Sequence, residues 1–235
     1  MQPQFVQSRP SAQAVADEQS AFMRKVYLFM SGGLTATAVA AYAVAGSETL
    51  SGMIYKNPMV FWGLIIVELL MVWRLASAVR SMSAVGAGLL FVAYSIVNGL
   101  TLSFIFRLYT QSSIGSTFLV TAGTFGAMSV YGSITKRDLS GVGSFMTMGL
   151  FGLILASIVN IFLHSTMIYW LTTFMGVFIF TGLAAYDTQK IRALNVIGNA
   201  GTDEDHKEAI HGALILYLDF LNLFLYLLRL LGRRR

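Results

Sequence analysis

Seven long apolar stretches, separated by shorter polar ones, dominate the pattern of this 235-residue chain. A helix needs about 20 apolar residues to cross a hydrocarbon core of about 30 Å, since each residue advances it by about 1.5 Å. Because a backbone in lipid must satisfy its own hydrogen bonds, all seven stretches are predicted to be helices. The predicted segments are residues 26–44, 58–73, 85–106, 114–135, 142–163, 167–186 and 209–228.

The polar stretches between the segments define the predicted connections and termini. Only His164, Ser165 and Thr166 separate the fifth segment from the sixth, which predicts a tight helical hairpin. Residues 1–24 are polar and proline-containing, so they are predicted to be a disordered tail and not a signal peptide. The predicted fold is therefore all-α, with one seven-helix transmembrane domain over residues 25–232 and a basic tail at 233–235.

Composition agrees with a membrane protein. The chain is 56% hydrophobic and only 11% charged, whereas soluble domains carry roughly 25% charged residues. Its net charge of +5 is scattered between apolar blocks, which favours basic loops at a lipid surface over nucleic-acid binding. The predicted partner is thus the lipid bilayer, with no nucleic acid. The lack of cysteine excludes disulfides, cysteine metal sites and a thiol nucleophile.

The distribution of Lys and Arg predicts an orientation. Ten basic residues fall on the side of the N-terminus and six on the other side of the seven spans. Because cytoplasmic loops are enriched in Lys and Arg, the N-terminus is predicted to be cytoplasmic. The arginines at 233–235 run against this rule, since seven spans place them on the opposite side. If they were cytoplasmic, the last segment would be re-entrant or one earlier span would be wrong.

Three acidic residues lie in or beside apolar segments. Asp219 has apolar helix on both sides, Asp187 ends the sixth segment, and Glu68 lies within the second. An ionisable group in hydrocarbon costs at least about 2.5–3.5 kcal/mol, so each needs a partner, water or a proton. For Asp187 the alternative is an ordinary residue at a helix end. Two carboxylates that meet in a low-dielectric site tend to share a proton or to bind a hard cation such as calcium.

Other chemistry has little support in the sequence. The three histidines lack metal-ligand spacing, the acidic run 203–205 lacks the EF-hand pattern, and the phosphate-binding and serine-hydrolase motifs are absent. An intramembrane aspartyl protease would use one Asp in each of two spans. However, the Gly-x-Gly-Asp motif expected for it is missing at Asp219. The chain is therefore predicted not to be an enzyme and to have no cofactor.

The residues Leu183-Ala-Ala-Tyr-Asp187-Thr-Gln189 and Leu216-Tyr-Leu-Asp219-Phe-Leu-Asn222-Leu-Phe224 resemble the transmembrane Bax inhibitor motif family, and the similarity covers residues 60–230. The resemblance implies a pH-sensitive calcium leak of the bacterial inner membrane, with the last of seven helices central and calcium as the permeant or bound ion. It also implies a proton-sharing, gating and calcium-binding pair, Asp187 and Asp219. The basic partner it implies is Arg80, with Arg74 as the alternative.

The same resemblance matches Glu68 to an acidic gating position in the second helix. It also suggests an alternative function, an interaction protein that binds membrane protein partners and modulates protein quality control or stress survival. A proton-coupled transporter stays open as well, because inward-facing carboxylates serve pumps as well as leaks.

Overall fold

The computed structural model describes residues 11–235, apart from the side chain of Arg80. A 3-10 turn, Val79–Ser81, joins the third helix to the fourth. The helices are α1 (Ala12–Ala45), α2 (Glu48–Tyr55), α3 (Pro58–Ala78), α4 (Ala84–Leu102), α5 (Ile105–Leu108), α6 (Gln111–Ile134), α7 (Ser140–Leu163), α8 (Thr166–Leu194) and α9 (Asp203–Leu231). With α4 and α5 counted together, seven spans are long and apolar enough to cross a membrane. The all-α, seven-span prediction is confirmed.

Polar residues in the connections begin most of these helices. A side-chain oxygen at an N-cap accepts a hydrogen bond from a backbone N–H that the first turn leaves without a partner. The predicted hairpin is present, since α7 ends at Leu163 and α8 begins at Thr166, with His164 between them in the left-handed region at φ 48°. The capping residues are Ser11, Ser47, Asn57, Ser83, Thr110, Ser165 and Thr202.

Helix α9 is the centre of the bundle. It packs against α1, α3 and α4 on one side and against α6 and α8 on the other, while α7 packs on the outside of α8. In the most apolar window of α9, 56% of the residues are buried, against 6% for α3. Large apolar side chains on the outer helices, among them Leu119 and Phe162, are exposed where lipid surrounds the protein. The prediction that the last helix is central is confirmed.

Two glycines bring helix backbones into direct contact, one on each side of α9. A Cβ at Gly99 of α4 would overlap the backbone of Thr37 in α1, and a Cβ at Gly132 of α6 would overlap the backbone of Ala185 in α8. Small residues permit such close approach between membrane helices, where lipid provides no hydrophobic driving force for association.

The two ends of the bundle are called here the N-side, where α1 begins, and the C-side, where α9 ends. On the C-side the backbone N–H of Thr110 donates to the carbonyl of Arg233 (3.1 Å), and that of Arg235 donates to Leu108 (3.0 Å). Helix α9 therefore crosses the whole bundle, and the re-entrant alternative is wrong.

The structure corrects two predicted boundaries. Residues 12–24 were expected in a disordered tail but form the first turns of α1, where Phe22 and Met23 are buried in the core; residues 1–10 lie outside the described part of the chain. Helices α8 and α9 also extend beyond their apolar segments, so that only residues 195–202 connect them. In both places polar residues continue a helix, because one of its faces packs inside the protein.

Candidate functional site

Asp187 and Asp219 are brought together by the packing of α8 against α9. The two helices are antiparallel, with Gly176 against Tyr226 and Ile191 against Gly212. In this register the two aspartates are offset by about one helical turn. Because each Cα–Cβ bond tilts toward the N-terminus of its own helix, the two side chains lean toward each other. The two carboxyl groups lie close enough to interact with each other.

The acid pair is buried in the middle of the bundle. Asp187 is 9% exposed and Asp219 is 6% exposed. Among the described groups, the Oδ2 atom of Asp219 has no hydrogen-bond donor. Two ionised carboxylates would repel each other here, so the contact requires a proton on one of them. Two buried carboxyl groups in this position are able to share one proton.

The surroundings of the acid pair are mostly apolar. Phe220 packs edge-on against Phe125, with ring centroids 5.5 Å apart. The hydroxyl of Thr188 donates to Ser129 of α6 at 3.2 Å and to its own helix at Ala184. Lys190, one turn after Asp187, interacts with it electrostatically.

The structure leaves the predicted arginine partner undecided. Arg74 is exposed near the N-side end of α3. The side chain of Arg80 lies outside the described part of the structure, so its pairing with the aspartates stays a prediction.

Glu68 belongs to a different polar cluster on the opposite side of α9. It accepts hydrogen bonds from Thr101 (2.5 Å) and from the amide of Asn98 (3.4 Å). Tyr217 donates to the same Asn98 (3.3 Å) and shares a 2.6 Å hydrogen bond with Thr37. The structure therefore connects Glu68 to Tyr217, and it does not bring Glu68 to the acid pair.

Sequence reasoning missed Asn98, Thr37 and Tyr217, because its argument rested on the cost of placing an ionisable group in hydrocarbon. An amide in an apolar segment also needs a partner, so Asn98 was a detectable signal. Its partner could not be inferred, since pairing depends on how the helices are rotated against one another.

A cavity of about 350 Å³ opens on the N-side of the acid pair. Its lining includes Glu208 and His211 near the surface and Ile191 and Ile215 deeper in the bundle. Ile215 precedes Asp219 by four residues and so lies one turn away on the same face of α9. The cavity thus extends from polar groups at the N-side to within about one helical turn of the acid pair.

In the described residues no group of three or more His, Asp or Glu side chains is placed to hold a metal ion. Calcium takes six to eight oxygen ligands. The two carboxyl groups supply only part of such a shell, and water or backbone carbonyls would have to complete it.

A bundle of seven spans, in which the central helix contributes one acid and a neighbouring helix the other to a buried pair, defines a class of polytopic membrane proteins. Comparison with known proteins agrees: the family model for the inhibitor of apoptosis-promoting Bax1 matches residues 19–235. The chain belongs to this Bax inhibitor family.

Similar proteins occur in distant bacteria. The chain is 48% identical over 215 residues to the inner membrane protein YbhL of Escherichia coli K12, which covers 91% of this chain and 92% of the relative. It is 46% identical over 214 residues to an uncharacterized protein of Borreliella burgdorferi, with the same coverage. An uncharacterized membrane protein of Streptococcus pyogenes serotype M1 is 37% identical, covering 90% of this chain and 92% of the relative.

Proposed function

We propose that this protein is a pH-sensitive, calcium-permeable leak channel gated by Asp187 and Asp219. The observation that carries the proposal is the buried carboxyl pair between α8 and the central helix, in which Oδ2 of Asp219 has no donor among the described groups. A structural ion pair would have a cation in that place, whereas a shared proton makes the contact depend on pH. The resemblance to the Bax inhibitor motif supplies calcium as the ion.

In this mechanism the shared proton holds α8 and α9 together. One proton between two carboxyl groups gives a charge-assisted hydrogen bond, which is stronger than a neutral one. A second proton removes the charge, and loss of the only proton leaves two repelling carboxylates. Both changes weaken the contact and favour the open state. Calcium flux is therefore lowest in the pH range where one proton is shared, and it rises on leaving that range.

The test is calcium flux into liposomes that contain the purified full chain, measured from pH 5 to 9. We expect a pH-dependent flux in the wild type and a flat profile in Asp187→Asn/Asp219→Asn, because neither amide titrates. The matched control is Asp17→Asn, an exposed aspartate in the first turns of α1, which should retain the wild-type profile.

A profile that the double variant leaves unchanged would contradict gating by the acid pair. If the wild type also carries no flux while a stable membrane protein partner co-purifies with it, the alternative of an interaction protein is favoured. In that case both aspartates are structural.

We further propose that the N-side faces the cytoplasm of a bacterial inner membrane. The excess of Lys and Arg on that side supports the orientation, and the relative in Escherichia coli is called an inner membrane protein. In this orientation the cavity lined by Glu208 and His211 opens to the cytoplasm.

A further inference from the structure

A lateral groove runs along the membrane-facing surface between α1 and α6. These helices do not pack along their length, since α1 packs on α4 and α9 while α6 packs on α8 and α9. The groove has a volume of about 720 Å³, within the range of about 300–1,000 Å³ typical of ligand sites. Its walls include exposed side chains such as Val39 and Val130, and its floor includes the buried ring of Phe220.

The N-side end of this groove is basic. A second cavity of about 290 Å³ continues the groove, because Tyr27, Ser133 and Ile134 line both. Arg24 and Arg192 also line this second cavity. Arg192 is held there by donating to the carbonyl of Ser133 and to Gln19. Among the described residues neither arginine takes part in an ion pair, so no described carboxylate balances the charge of this end.

We propose that the groove is a binding site for one anionic glycerophospholipid, with an acyl chain between α1 and α6 and the phosphate headgroup at Arg24 and Arg192. The groove opens sideways to the bilayer, so lipid reaches it directly. The order of an apolar slot followed by a basic end matches the order of tail and headgroup along a lipid. Basic pockets between membrane helices bind anionic headgroups in this way.

The bound lipid lies one layer from the acid pair. Phe220, on the groove floor, is the neighbour of Asp219, and Ser129, on the groove wall, accepts the hydrogen bond of Thr188 beside Asp187. A lipid in the groove therefore packs against Phe220 and Ser129, the two groove residues nearest to the acid pair. Lipid binding does not rest on the proposed channel function and is tested independently of it.

The first experiment measures lipid retention by native mass spectrometry of the full chain. The delipidated protein is titrated in detergent with phosphatidylglycerol or phosphatidylethanolamine carrying the same acyl chains. We expect one phosphatidylglycerol per chain and weaker retention of phosphatidylethanolamine. Arg24→Gln should weaken phosphatidylglycerol binding about fivefold, which corresponds to about 1 kcal/mol for one basic residue near the headgroup. The control Arg74→Gln, an exposed arginine on the same side but away from the groove, should leave binding unchanged.

The second experiment fills the groove with a side chain. Gly126 lines the groove and Gly123, three residues earlier on α6, does not; a Cβ at either position meets no atom within 4 Å. Gly126→Leu should abolish lipid retention, and Gly123→Leu should retain it. Inorganic phosphate in excess should not displace the lipid, because it lacks the acyl chain.

Several results would overturn the proposal. Equal retention of the two lipids, or no effect of Arg24→Gln, would show that the basic end does not bind the anionic headgroup selectively. Equal loss in Gly123→Leu and Gly126→Leu would show that the groove is not the site. A dimer of the purified chain that Gly126→Leu dissociates would show that a second copy fills the groove.

Discussion

Helix α9 directs Asp219 toward α8 and, two residues earlier, Tyr217 toward α1 and α4. Both side chains are polar and buried, yet their partners differ in kind. The hydroxyl of Tyr217 has neutral partners in Thr37 and Asn98, and the rings of Phe91 and Tyr94 pack edge-on against it. The carboxyl group of Asp219 has another acid. Of these two contacts, only the one between the acids requires a proton that the solution must supply.

This difference suggests that the two faces of the central helix have different roles. The tyrosine face fixes α9 against α1 and α4 at any pH near neutrality, since neither a threonine nor an asparagine titrates there. In the proposed mechanism, the acid face adds to the packing of α9 against α8 only in one protonation state. The following predictions test this contrast, beginning with the largest expected effect.

The largest effect is expected from Asp219→Asn on the pH dependence of stability. Raising the pH removes the shared proton and leaves two buried charges, so the wild type loses up to about 1.4 kcal/mol per pH unit for one proton. The variant cannot lose that proton and should show a shallower slope. Unfolding in mixed micelles between pH 6 and 9 measures this slope. Equal slopes in the two proteins would remove the distinction between the faces.

Substitution of either contact glycine should lower the stability of the protein by a similar amount. Gly99→Ala and Gly132→Ala each force a methyl group against a backbone, which costs about 1–3 kcal/mol by overpacking. We expect both to lower the unfolding midpoint, while Gly123→Ala, in open space on α6, should not. Only Gly132→Ala, which displaces α6 from Ala185 beside the acid pair, should also shift the pH profile of calcium flux. A similar shift by Gly99→Ala would show that the two faces are coupled.

Tyr217→Phe should have a smaller effect that does not change with pH. The substitution removes one hydroxyl and leaves the Oδ1 atom of Asn98 without its donor, for a loss of about 1 kcal/mol. The loss of unfolding free energy should be the same at pH 6 and pH 9, because the lost hydrogen bonds involve no ionised group. A pH-dependent loss would mean that Glu68, which is joined to Tyr217 through Asn98, titrates together with this cluster.

The smallest effects are expected from two threonines, Thr188 of α8 beside the acid pair and Thr37 of α1 at the tyrosine face. Thr188→Val removes the hydrogen bond to Ser129, and Thr37→Val removes the one to Tyr217, with little change in volume. Each should cost about 0.5 kcal/mol, the lower end of the net value of a hydrogen bond. Thr188→Val alone should alter the flux profile, measured in liposomes as for the acid pair. An altered profile in Thr37→Val instead would assign the gate to the tyrosine face.

The sequence predicts the seven spans well because the bilayer imposes a length and an apolar composition on each one. It predicts their ends poorly, since a helix end can be polar wherever one face packs on the protein. The start of α1 shows this: Phe22, Val26 and Met30 form a buried stripe at helical spacing that continues the span into the polar N-terminal residues. Lys25 ties that region to the buried Asp205 of α9.

The site residues, too, could be predicted in part: the sequence identifies the acids but not their contacts. Asp187 and Asp219 could be singled out because an acid in an apolar segment is costly wherever it points. Their contact depends on the register of α8 and α9, which the sequence alone does not specify; the family resemblance supplied it. Glu68 was grouped with them on the same resemblance, and only the packing of α3 on α4 shows that its partners are Thr101 and Asn98.

The central position of α9 has a consequence for biosynthesis. The ribosome completes this helix after the six other spans, and Asp219 follows Asp187 by 32 residues. Until α9 enters the membrane, Asp187 has no acid partner, and the cleft that will hold α9 is open to lipid or water. If the spans insert in chain order, the arrival of α9 both fills the cleft and gives Asp187 its acid partner.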